Sequence, residues 1–137
     1  LALWIGSQIT IVDGVSMILI ILILVAAVNF LTELTSNLAT TAMLLPILAP
    51  VALAFDMNPY MLMVSATLAA SCAFMLPVAT PPNAVVFGSG YLRIPDMMKA
   101  GVWMNLISIF FITAMIYFLL PSLWGIIPDE YSNLVGN

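Results

Sequence analysis

Eight charged side chains are spaced so widely along this chain that they leave uncharged runs at 14–32, 34–55, 57–92 and 100–128. Each run is long enough to enter or cross a hydrocarbon layer ~30 Å thick, which takes about 20 residues of helix. A water-soluble domain of this size could not leave such stretches without charge, and a composition 64% hydrophobic and 6% charged places the sequence among membrane proteins. Two basic residues cannot neutralise a phosphate track, which excludes a nucleic-acid role. There is no His, only one Cys (Cys72), and no pair of carboxylates placed to act as acid and base, so the sequence does not read as an enzyme. Cys72 has no partner for an intramolecular disulfide and reads as packing.

The expected organisation is all-α. Residues 1–14 read as the end of a preceding element and a turn, and the opening on Leu1 suggests a piece of a longer protein. An apolar helix follows from Val15 to Leu34, then "TSN" (Thr35, Ser36, Asn37), then a second helix to Phe55. "DMNP" (Asp56 to Pro59) is a turn whose proline suits the start of the next helix, expected from about Tyr60 to Val78 and rich in small residues that permit close packing. Pro81 and Pro82 end it, and a short half-helix is expected from about Asn83. Residues 91–99 read as an interfacial connection, 100–121 as a last membrane helix stopped by Pro121, and 122–137 as a polar tail in water.

Two polar interruptions, "TSN" at 35–37 and "ATPPN" at 79–83, therefore break two apolar regions, and both end in asparagine. Non-helical backbone at membrane depth survives only when buried in protein or lining a cavity, so both breaks should face one interior site. Helices ending there present carbonyls that suit a hard cation. Helices starting there present N–H groups that suit an anion, with Ser36 or Asn37 as one N-cap and Thr80 with Pro81 as the other. Each break also has a plainer explanation. Ser36 and Asn37 could simply cap a tight turn, and the proline pair could be a structural kink. Glu33 could carry a proton or cation, or it could sit at an interface or pair with a neighbour outside this stretch; the structural role is favoured.

Taken together, "TELTSNLATTAMLLPI" (Thr32 to Ile47) and "MLPVATPPNAVVFGSG" (Met75 to Gly90) resemble the C-terminal half of the divalent anion/sodium symporters, the dicarboxylate, citrate and sulfate transporters. The resemblance implies the second inverted repeat of an elevator-type transporter. Its parts would be a re-entrant hairpin at 15–55 with its tip at 35–37, a broken helix at 59–90 with its break at 79–83, and the last helix at 100–121. It implies a co-transported Na⁺ near Thr32, Thr35, Asn37 and the backbone of Ala79, and no organic cofactor. A substrate carboxylate would meet Ser36, Asn37, Thr80 and Pro81, with Asn83 and Leu38 supporting. Many members carry Thr where this chain has Leu38, so one hydroxyl contact to the anion is missing. The implied activity is sodium-coupled symport of a small di- or tricarboxylate across the bacterial inner (plasma) membrane by a homodimer of the complete, multi-pass protein. Sulfate transport, anion exchange, a half-helix channel and a structural membrane subunit are the alternatives. Arg93 and Lys99 both fall at 91–99, which the positive-inside rule assigns to the cytoplasm.

Overall fold

The structure is a computed structural model that describes residues 16–125; the expected leading turn at 1–14 and most of the expected tail lie outside them. All regular structure among the described residues is helical. The elements are α1 (Met17–Leu31), α2 (Asn37–Ala54), α3 (Pro59–Ala70), α4 (Pro81–Gly88), α5 (Ile94–Ala114), a wide π segment (Met115–Leu119) and α6 (Leu120–Trp124).

Helix α3 is the centre of the bundle because its sequence is small enough to be surrounded. Met61, Leu62, Ser65, Ala66, Ala69 and Ala70 are buried, and it packs against α1, α2 and α5. Around it close Ile21, Val25 and Val28 of α1, Leu48 and Ala52 of α2, and Ile109, Ile112 and Ile116 from the last helix. The outer surface is as apolar as the core. Trp103, Phe110 and Phe118 are each 70% exposed, an arrangement stable against lipid or further protein and not against water. Two helices, Asn37–Ala54 and the continuous Ile94–Trp124, are long and apolar enough to cross a membrane.

The α2–α3 connection shows how tightly the sequence controls its turns. Asp56 takes a left-handed φ of 52° just past the end of α2. The Met57 N–H donates to Ala52 O at 2.9 Å and the Asp56 N–H to Leu53 O at 3.1 Å, a Schellman closure. Asn58 then caps α3 through the Tyr60 N–H at 3.1 Å, with Pro59 in the first turn.

Helix α1 ends at Leu31 instead of Leu34 and α4 starts at Pro81 instead of about Asn83, and three boundaries differ more widely from expectation. Helix α3 stops at Ala70, not near Val78, so the irregular segment is 71–80. Pro77 prevents a helix from running through to Val78: it has no N–H to give, would clash there with the carbonyl of Ala73 and disfavours helical geometry at Leu76. Helix α5 begins at Ile94 instead of residue 100, with Pro95 in its first turn and the Asp96 carboxylate accepting from the Arg93 N–H at 3.4 Å. It also runs past Pro121. The bonding widens over Met115–Leu119, where the Leu120 N–H reaches Met115 O, and the slack accommodates the proline ring before Gly125 ends the helix at φ 60°.

A candidate binding cleft where two chain breaks meet

The turn between α1 and α2 is held by its own hydroxyls. Thr32, fully buried, places Oγ1 2.8 Å from Asn37 Oδ1 and 3.0 Å from the Ala70 carbonyl, which ties the turn to the end of α3. Thr35 Oγ1 donates to Leu31 O at 3.0 Å and lies 2.5 Å from Thr40 Oγ1. Ser36 caps α2 by accepting the Ala39 N–H at 3.4 Å.

The segment 71–80 cannot satisfy its own backbone, and side chains from elsewhere do so. Asn29 Nδ2 donates to Cys72 O at 2.6 Å. Asn83 Nδ2 donates to Ala73 O at 3.1 Å and Leu76 O at 3.0 Å. Glu33, 3% exposed, accepts three consecutive backbone N–H groups: Phe74 at 2.8 Å, Met75 at 3.0 Å and 3.1 Å from its two oxygens, and Leu76 at 3.1 Å. The same carboxylate accepts Asn105 Nδ2 at 2.8 Å. Glu33 thus holds neighbouring backbone and is occupied by it. From the other side, α5 comes so close at Gly101 that a Cβ there would lie 2.5 Å from Met75 Cα.

Between the turn and the break lies an open cleft of about 460 Å³, lined by Leu34, Thr35, Ser36, Asn37 and Leu38 on one side and Val78, Ala79 and Pro81 on the other. None of these residues carries a formal charge, and among the described residues no group of three His, Cys, Asp or Glu could hold a metal ion. The two interruptions therefore do converge. Of the expected site residues, Thr35, Ser36, Asn37, Leu38, Ala79 and Pro81 line the cleft, while Thr32 sits buried behind the turn. Thr80 occupies the cap position of α4 without a capping side-chain bond, and Asn83 turns back to the break carbonyls.

The donor and acceptor supply differs from the symmetrical picture of helix ends. Helix α4 opens with Pro81 and Pro82, so its first turn has only the Asn83 N–H left to offer. The first N–H groups of α2, at Asn37 and Leu38, have no intrahelical acceptor and stand at the cleft. The last carbonyl of α3, Ala70 O, is taken by Thr32, and in the break Cys72 O is taken by Asn29 and the Ala73 and Leu76 carbonyls by Asn83. Sequence reasoning did not find Asn29 or Asn105. Polar residues at fully buried positions of otherwise apolar helices were the available signal.

A helical bundle with an apolar exterior, in which two chain breaks meet at an uncharged cleft inside the protein, has the make-up of a membrane protein. The family description "Sodium:sulfate symporter transmembrane region" matches residues 1–127, and the chain belongs to that family. It is similar to the sodium-dependent dicarboxylate transporter SdcS of Staphylococcus saprophyticus, 51% identical over 126 residues, and to that of Staphylococcus aureus, 49% identical over the same length. Each match covers 92% of this chain and 24% of the relative, so the chain spans about a quarter of the length of the curated relatives it matches.

Proposed function

We propose that this chain supplies one half of the binding site of a sodium-coupled symporter for small di- or tricarboxylates. The observation that carries the proposal is the cleft shared by the 35–38 turn and the 78–81 end of the break. A substrate carboxylate is held by the Asn37 and Leu38 N–H groups at the positive end of α2, with the Ser36 and Thr80 hydroxyls beside it. Na⁺, the co-substrate, takes neutral oxygens: Asn37 Oδ1, the hydroxyls of Thr32 and Thr35, and the Ala79 carbonyl. Asn83, through the break carbonyls it holds, and Leu38 support the carboxylate contact. The family and the names of the similar proteins favour sodium and a dicarboxylate.

Depth supports the reading. Asn105, which reaches the break through Glu33, lies about 16 Å along the helix axis from Ile94 at ~1.5 Å per residue. With Arg93 at the cytoplasmic interface, that distance and the shorter one of about 10 Å to Gly101, which meets the break directly, favour a break inside the ~30 Å hydrocarbon layer and not at its surface. Helix α1, at 15 described residues, is short for a full span, which favours a re-entrant hairpin with its tip at mid-depth. An elevator-type homodimer of the complete protein is the assembly this half-site fits.

Sodium-driven uptake of succinate by the complete protein tests the proposal. Asn37→Ala removes an oxygen from the cation and disturbs the start of α2. The expected outcome is a rise of about tenfold or more in half-saturating Na⁺ and in substrate KM, the scale of losing one bond to a charged group. Unchanged values at equal membrane abundance would remove the proposal. Trans-stimulation by internal substrate in proteoliposomes separates this carrier from a channel, which shows none.

A further inference from the structure

Helix α5 lines no part of the cleft, yet its face at Gly101, Asn105 and Ser108 is turned to the break. Gly101 lies against the backbone of Phe74 and Met75, and Ser108 Oγ is 3.4 Å from Asn29 Nδ2. Asn105 is fully buried; its Nδ2 donates to Glu33 Oε1 at 2.8 Å, and its Oδ1 has no partner among the described residues. An amide that leaves one buried oxygen unsatisfied is a poor choice for packing, where an apolar residue of similar volume would do better. What the amide achieves is to fix the carboxylate that grips the N–H groups of Phe74, Met75 and Leu76. Those residues run directly into Val78 and Ala79, which line the cleft.

We infer that Asn105 is a positioning residue of the cleft: acting through Glu33, it sets where the break stands relative to the Ser36–Asn37 turn, and so sets the affinity for the co-transported cation. It touches neither ligand. The inference rests on the proposed symport, but geometry and transport can be read separately.

The test uses the complete protein in proteoliposomes, comparing Asn105→Leu, Glu33→Gln and the double variant with the parent. In the first arm, Asn105→Leu raises half-saturating Na⁺ on the order of tenfold with the maximal rate changed much less, the scale of one lost bond to a charged group. The double variant is no worse than Glu33→Gln alone, because the two residues act as one unit. In the second arm, Val78→Cys in a Cys72→Ser background is labelled with a maleimide. Asn105→Leu and Glu33→Gln shift its labelling rate in the same direction, and again the effects do not add. Additive effects in either arm, or an unchanged labelling rate in Asn105→Leu, overturn the inference. If the parent shows no sodium-driven uptake, the functional reading fails and the labelling arm still decides the role of Asn105. Should Asn105→Leu not reach the membrane, Asn105→Ser, whose donor is too short for the carboxylate, replaces it under the same criteria.

Discussion

Replacing Glu33 with leucine is expected to prevent the complete protein from accumulating in folded form. The carboxylate is the acceptor for the N–H groups of Phe74, Met75 and Leu76 and for Asn105 Nδ2, and it is 3% exposed. No water is at hand in a membrane interior to take its place. Leaving a buried donor unsatisfied costs ~1–3 kcal/mol, so four together approach the ~5–15 kcal/mol that stabilises a typical domain. Gel filtration of detergent extracts should show little monodisperse Glu33→Leu protein. Glu33→Gln keeps one acceptor oxygen and should be recovered with a lowered thermal midpoint. Normal recovery and melting of Glu33→Leu would refute the role assigned to this side chain.

The second large effect is expected at Gly101. A Cβ there would lie 2.5 Å from Met75 Cα, 2.6 Å from Phe74 O and 2.7 Å from Phe74 C, all backbone atoms that cannot swing aside. Gly101→Ala therefore forces α5 and the break apart, at a strain of about 1–3 kcal/mol. It is expected to reduce uptake about tenfold or more while some protein still folds. Gly101→Leu should not fold. Gly88, with nothing within 4 Å of the equivalent position, provides the control: Gly88→Ala should leave abundance and transport unchanged. Equal uptake by Gly101→Ala and Gly88→Ala would show that the close approach of α5 does not matter.

Much of the local design could be read from residue chemistry alone. Ser36 as a cap, Pro59 in a first turn and Pro81 as the first residue of a helix after Thr80 are features whose causes lie within a few residues of their effects. The convergence of the two interruptions followed from a solvent argument, since stray amides cannot face lipid. What could not be read were partnerships across long sequence separations. Helix α3 gives way early partly because Glu33, some forty residues before the break, offers acceptors that compete with the helix for three amides. Pro77 is a local sign of the same event, less conspicuous than the pair at 81 and 82. That pair also removes donors, which is legible in principle and makes α4 a weaker anion contact than α2. Pro121 misled in the opposite direction, because a wide turn can absorb a ring that an ideal helix rejects.

The neutrality of the cleft has a consequence for what it can hold. Its nearest carboxylate is saturated by the chain's own amides, so a visiting anion finds no fixed countercharge on the lining and a visiting cation finds none either. Stripping either ion of water alone is prohibitive, whereas the two together screen one another. On the symport proposed above, what this half of the site receives is in effect a dissolved salt, two opposite charges that neutralise one another as they leave water.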